Sequence, residues 1–254
     1  MEQNKIALIT GATAGIGKAC AEIFAQNKYN LVLTGRRKER LTNLKKELEE
    51  NYKINVILLN FDIRDYAQVE QQYNSLPENY KKIDVLINNA GLAMGLSSIN
   101  NGDINDWDIM IDTNIKGLLY TTKIISNWMI ANGKGHIINI GSIAGKEAYP
   151  NGNVYCATKH AVDALSRATR IDLLPHGIKV TNIAPGLVET EFSLVRFKGD
   201  AARAKQSYTG ITPLYAKDIA EVIYFATSRP DNVNLNDIVI TPKAQAMTRD
   251  MIRI

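Results

Sequence analysis

Lys5-Ile6-Ala7-Leu8-Ile9-Thr10-Gly11-Ala12-Thr13-Ala14-Gly15-Ile16-Gly17 is the stretch on which the fold turns. Lys5 to Thr10 reads as a short apolar strand that ends in a glycine cluster, Gly11, Gly15 and Gly17. A helix follows, with Ala19, Ile23 and Phe24 on its inner face. Strand, glycine turn and helix in that order is the setting in which such a cluster binds phosphate. Glycines let the backbone turn sharply and approach a pyrophosphate, and the helix N-terminus supplies oriented N–H groups with a partial positive charge. The spacing is Gly-xxx-Gly-x-Gly rather than the commoner Gly-x-Gly-xx-Gly. A plain tight strand-to-helix turn is the alternative reading.

Asn30–Thr34 reads as a second strand and runs into Gly35-Arg36-Arg37-Lys38. In a dinucleotide fold the residue after this strand meets the adenosine ribose, and a carboxylate there selects the free 2′-OH. This chain has arginines instead. Three cations opening a helix oppose its dipole unless an anion sits among them. A 2′-phosphate would be that anion, gripped by a guanidinium fork; a solvated basic helix start is the other reading. The pattern predicts NADP(H) rather than NAD(H).

Further strands read at Ile54–Leu59, Ile83–Ile87, Gly135–Ile140, Ile178–Ile183 and Asp237–Ile240, with helices between them. Strands alternating with helices call for right-handed crossovers and an α/β doubly wound parallel sheet of Rossmann type. No repeat, low-complexity tract or linker interrupts it, so residues 1–254 read as one domain. Asp62, at a strand's end, could accept from an adenine amino group or simply cap a turn. Asn88-Asn89-Ala90-Gly91 closes strand four with the small and amide residues a backbone near a ligand needs. Asp106–Ala131 reads as one long helix with Trp107, Ile111, Ile115, Leu118 and Leu119 as its apolar stripe. Asn114 sits inside it, either on the surface or buried with a task. Residues 187–212 have weak periodicity and read as a mobile substrate lid. Pro242–Ile254 reads as a tail able to cover a neighbour.

The composition is that of a soluble globular protein, 45% hydrophobic and 22% charged. A net charge of +4, diffusely spread, gives no footprint for nucleic acid. Cys20 and Cys156 have neither ligand spacing nor a disulfide framework, and His136, His160 and His176 are scattered, so no metal site is expected. Met1 to Lys5 lead straight into a strand with no signal peptide, and no apolar run approaches a membrane span. The expected compartment is the cytoplasm.

Tyr155-Cys156-Ala157-Thr158-Lys159 opens another helix, running to about Leu174. Residues four apart on a helix share a face, so the phenol and the ammonium can reach one small volume. A neighbouring cation favours the phenolate and brings the phenol pKa down towards useful proton transfer.

Thr10-Gly11-xxx-Gly15-Ile16-Gly17, Asn88-Asn89-Ala90-Gly91, Ser142, Tyr155-xxx-Lys159 and Pro185-Gly186 stand in one order. The chain thereby resembles the short-chain dehydrogenase/reductase family over residues 5 to about 240. Gly186-Leu-Val-Glu-Thr-Glu-Phe-Ser193 with Val195-Arg-Phe-Lys-Gly-Asp200 is similar to a narrower group, the NADP-dependent 3-hydroxy acid dehydrogenases, which include serine and allo-threonine dehydrogenases. The resemblance implies Tyr155 as general acid/base, Lys159 lowering its pKa and holding the nicotinamide ribose, Ser142 holding the substrate oxygen, and Asn114 carrying a water-linked proton relay. It implies an NADP(H) site made by Gly11, Thr13, Gly15, Ile16, Gly17, Arg36, Arg37, Asp62, Ile63, Asn89, Ala90, Gly91, Tyr155, Lys159, Pro185, Gly186, Val188 and Thr190. Gly141 departs from the wider family, where a second hydroxyl residue is common.

The expected activity is hydride transfer between NADP(H) and a small 3-hydroxy acid or its keto form. Arg196 and Lys198 are candidate cations for the substrate carboxylate. A broad carbonyl or 3-oxoacyl reductase, or a non-catalytic dinucleotide sensor, would share the fold; a sensor has no need of the four catalytic residues together. The resemblance also implies a homotetramer built through the two long helices.

Overall fold

Seven parallel strands form one sheet in the order β3-β2-β1-β4-β5-β6-β9 in the computed structural model, which describes residues 4–253. Met1, Glu2 and Gln3, on which the reading of the N-terminus partly rests, lie outside the described residues. So does Ile254. In chain order the elements are β1 Ile6–Ile9, α1 Gly15–Gln26, β2 Asn30–Gly35, α2 Lys38–Tyr52, β3 Val56–Asn60, α3 Tyr66–Asn74, β4 Val85–Asn88 and α4 Ile104–Ile111. A π-helical turn, Asp112–Gly117, leads into α5 Leu118–Asn132. Then come β5 His136–Ile140, α6 Asn153–Leu173, β6 Lys179–Pro185, β7 Val188–Glu189, α7 Phe192–Arg196, α8 Ala201–Gln206, β8 Leu214–Tyr215, α9 Ala216–Thr227 and β9 Asp237–Ile240.

β1, β4 and β5 are buried at every residue, as strands covered by helices on both faces must be. One core packs α1, α2 and α9 on one face through Phe24, Leu41, Leu48 and Ile223. The other packs α3 and α5 on the opposite face through Tyr73, Ile125 and Met129. In α1 the inner face is centred on Cys20, Ala21, Phe24 and Ala25, while Ala19 and Ile23 are only partly buried.

Polar pairing links four neighbouring strands of the sheet. Asn88, Asn139, Asn182 and Asp237 stand in register across β4, β5, β6 and β9. Asn88 donates to Asn139 Oδ1 at 2.9 Å and to Thr122 at 2.9 Å, and Asn139 donates to Ser166 of α6 at 2.9 Å. Asn182 donates to Asp237 at 2.8 Å and to Asp163 at 3.1 Å. The row is satisfied only in part, since the buried Asn88 Oδ1 and Asn182 Oδ1 find no partner among the described residues.

Three expectations change here. The long helix runs from Ile104 to Asn132 but widens into the π turn, and its buried residues are Asp106, Met110, Thr113, Asn114, Gly117, Leu118, Thr121, Thr122, Ile125 and Met129. Ile111 and Leu119 are exposed, and the π turn between them sets the stripe of α5 out of phase with that of α4. The lid segment is not featureless: β7 pairs with β8 at its base and α7 and α8 fill it. The tail folds back on its own chain: Gln245 Oε1 accepts from Leu187 N at 2.8 Å, Thr248 N donates to Glu147, and Arg253 donates to Ser207 O at 3.2 Å.

Candidate active site

A cavity of about 880 Å³ opens at the carboxyl end of the sheet, where β1 and β4 diverge to opposite sides. That divergence leaves a crevice in which open α/β sheets bind ligands. Gly11, Thr13, Gly15, Ile16, Arg36, Arg37, Asp62 and Ile63 line one half. Asn89, Ala90, Gly91, Ser142, Tyr155, Lys159, Pro185, Gly186, Val188 and Thr190 line the other. Gly17 and Asn114 stand behind that wall.

The glycine turn needs its glycines. Gly11 and Gly15 hold φ of 66° and 52°, a region that L side chains seldom adopt. Asn89 ties the turn to β4, its Nδ2 donating to Thr10 O at 2.8 Å and Gly11 O at 3.2 Å. Thr10 Oγ1 accepts from the N–H groups of Asn89 and Ala90.

At the other end, Ser142 stands two residues past the last residue of β5 and accepts from Ala144 N at 3.1 Å. A Cβ on Gly141 would collide with Asn182 Oδ1, which explains why no second hydroxyl residue stands there. Tyr155 and Lys159 lie four apart on α6, with Lys159 Nζ 6.0 Å from the Tyr155 ring centre and donating to Ile140 O at 2.8 Å. Asn114, carried inward by the π turn, accepts from Leu92 N at 2.9 Å and donates to Leu92 O and to Thr158 Oγ1 at 2.8 and 3.0 Å. A Cβ on Gly91 would sit 3.3 Å from Asn114 Oδ1 and 3.6 Å from Lys159 Nζ, so these two groups border one small space.

The electrostatics differ from expectation in one respect. Burial pushes the Tyr155 phenol above its ordinary range, with the Ser142 hydroxyl and the Arg196 guanidinium working the other way. Lys159 itself is brought down to about 8 by burial. The geometry therefore leaves the phenol protonated at neutral pH. Within the chain, desolvation is the largest influence on the phenol.

Arg36 and Arg37 part company. Arg36 leans towards Asp62 at 3.7 Å, a carboxylate already gripped by Arg64 at 2.6 Å and accepting from Arg64 N as a turn residue. Arg37 donates from Nε and Nη2 to Thr13 Oγ1 at 2.9 and 2.6 Å, which fixes its fork beside the glycine turn. The anion among these cations comes from the lid. Glu191 reaches Arg37 and Arg40 at 2.7 Å each. Of the two lid cations, Lys198 pairs with Asp103 and Asp106 away from the cavity. Arg196 lies 5.5 Å over the Tyr155 ring and donates to Gly95 O at 3.2 Å and Tyr149 OH at 2.8 Å, leaving Nη1 uncommitted among the described residues.

Sequence reasoning gave no individual role to Glu191 and Phe192, which it read only within the Gly186–Ser193 motif, and none to Arg40, Tyr149 and Gln245. Phe192 packs on Tyr155 with ring centres 5.6 Å apart, and buried Gln245 leaves no room for a side chain at Gly186. No spacing rule marks them, since each meets the site through the fold of the lid or tail.

A family model described as short chain dehydrogenase matches residues 5–200. The chain is 46% identical to the NADP-dependent 3-hydroxy acid dehydrogenase YdfG of Salmonella typhi, over 95% of this chain and 96% of that protein. It is 43% identical to sulfoacetaldehyde reductase 2 of Chromohalobacter salexigens, over 96% of each. Among solved structures, the closed form of serine dehydrogenase complexed with NADP+ is similar at a TM-score of 0.90 and 42% identity, covering 95% of this chain and 96% of that one.

Proposed function

The chain belongs to the short-chain dehydrogenase family, and from that membership we propose an NADP(H)-dependent oxidoreductase that interconverts a small 3-hydroxy acid and its keto form. The observation that carries the reading is the meeting, in one cavity, of the Ser142–Tyr155–Lys159 set with the Arg37–Thr13 fork. The coenzyme supplies or accepts the hydride at its nicotinamide. Around it, the glycine turn would hold the pyrophosphate, Arg37 the 2′-phosphate, Asn89 to Gly91 and Lys159 the ribose, and the Pro185–Thr190 stretch the nicotinamide face.

Ser142 holds the substrate oxygen and Tyr155 gives it a proton in reduction or takes one in oxidation. Lys159 and Asn114 replenish the phenol through the space beside Gly91. Arg196 is the cation for an acid substrate: it stands beside Tyr155, where a carboxylate two carbons from the reacting centre would reach it. Sulfoacetaldehyde reductase 2, a relative named for an anionic carbonyl substrate, agrees with a cation at this place. We place the protein in the cytoplasm, and among the described residues no helix is long and apolar enough to cross a membrane. A homotetramer through the Ile104–Asn132 and Asn153–Leu173 helices fits the outward-facing Ile111, Leu119 and Ile171.

The test is a coenzyme and substrate panel read by nicotinamide absorbance, with L-serine, L-allo-threonine and 3-hydroxypropionate. Turnover is expected with NADP+ and at least one of these acids; turnover confined to NAD+ would refute the role given to Arg37. Consumption of NADPH by ketones alone, with every acid silent, would favour the general carbonyl reductase. Arg196→Met separates these readings further. Loss of a charge-assisted bond should raise KM for the acids about ten- to hundredfold while leaving KM for an uncharged ketone within about twofold.

A further inference from the structure

The cations that open α2 already have an anion, and it belongs to the lid. Glu191 Oε2 lies 2.7 Å from Arg37 Nη1 and Glu191 Oε1 lies 2.7 Å from Arg40 Nη1. Its neighbour Thr190 closes over the glycine turn, so that a Cβ on Gly15 would meet it at 3.3 Å. This end of the lid therefore shuts over the coenzyme mouth through an ion-pair cluster.

Arg37 has one free edge to offer. Nε–H and one Nη2–H go to Thr13, which leaves the outer edge formed by Nη1 and the second Nη2–H, and Glu191 sits on it through Nη1. A phosphate gripping Arg37 needs that same edge. A phosphate monoester, with about −1.5 to −2 charge, would outcompete one carboxylate but would have to displace it first. A coenzyme without the 2′-phosphate faces no such exchange.

We propose that Glu191 is a specificity-determining residue, a tethered carboxylate that competes with the coenzyme's 2′-phosphate for Arg37 and Arg40. It weakens NADP(H) binding, narrows the gap between NADP(H) and NAD(H), and hastens release of the spent coenzyme, a step that limits many enzymes of this kind. The proposal rests on the NADP(H) reading of Arg37.

Binding of 2′,5′-ADP and of 5′-AMP to the full-length protein, measured by calorimetry for wild type and Glu191→Gln, tests it. Each ion pair is 40–50% exposed, and exposed pairs are individually weak, so removing the carboxylate should tighten 2′,5′-ADP about three- to tenfold. Binding of 5′-AMP should stay within about twofold. At about 1 M salt, where the Debye length falls to about 3 Å, the gain should shrink towards unity. Under single-turnover release, NADPH should leave Glu191→Gln more slowly by a similar factor. If wild type prefers 2′,5′-ADP and the variant binds it equally or more weakly, Glu191 holds the arginines in place for the phosphate and competition is wrong. If wild type binds 2′,5′-ADP no better than 5′-AMP, the coenzyme reading itself is overturned, and this proposal with it.

Discussion

Replacing Tyr155 with Phe is expected to lower kcat by at least about 10²–10⁴-fold, the range supplied by a positioned acid or base, with NADPH affinity changed less than about threefold. The phenol oxygen is the only atom removed, and the ring keeps its packing on Phe192 and beneath Arg196. The groups proposed to hold the pyrophosphate and 2′-phosphate do not hang on it among the described residues: the glycine turn is tied by Asn89 and Thr10, and the arginine fork by Thr13. The two readouts therefore separate a chemical role from a structural one. Because burial keeps the phenol protonated, it is poised to deliver a proton to a carbonyl, and oxidation requires that the same oxygen first lose it. Fluorescence titration of NADPH alongside steady-state rates decides the matter. Retained turnover in the variant, within tenfold of wild type, would remove Tyr155 from the mechanism.

Much of this site was legible because its residues come in local packages with a chemical reason for their spacing. A glycine turn between strand and helix, a tyrosine and lysine four apart, and a serine just past a strand each announce themselves within a few residues. The parallel sheet follows from alternation, and the predicted ends of β9 agree with the structure at Asp237–Ile240. What stayed hidden depends on meetings across long separations. Glu191 lies more than 150 positions from Arg37, Gln245 reaches Leu187 from a tail without periodicity, and the π turn that aims Asn114 leaves no mark in a hydrophobic pattern. The burial of Tyr155 and Lys159 stayed hidden for a related reason. Spacing on a helix shows that two groups share a face, but it does not show how far both are buried. At this site burial decides the balance of charge.

That burial gives Lys159→Met an unusual signature: activity should fall by about 10²-fold or more while the folded state becomes more stable at neutral pH. The Lys159 ammonium is 7% exposed, and burial brings its pKa from 10.5 down to about 8. At 1.36 kcal/mol per unit, carrying that charge costs the native state about 3 kcal/mol whenever it is present. A methionine of similar length fills the same channel without a charge. It loses the bond to Ile140 O, worth about 1.5–3 kcal/mol for a charged donor, so the net gain should be about 0–2 kcal/mol. With about 2–4 °C per kcal/mol for a chain of this size, Tm near pH 7 should rise by several degrees at most and should not fall. The pH dependence fixes the cause. Below about 8 both the folded and unfolded wild type carry the proton, and the full cost applies. Between about 8 and 10.5 the unfolded chain holds a proton that the native state has released, so wild-type stability rises with pH relative to the variant. Above 10.5 neither state is charged and the cost is gone. The stability difference in favour of methionine should thus be greatest below pH 8 and diminish steadily towards pH 10.5. Urea unfolding of both proteins from pH 6.5 to 10.5 measures it. A difference that is flat across that range would mean that Lys159 is not held in an environment hostile to its charge, and the replenishing role given to it beside Tyr155 would lose its physical basis.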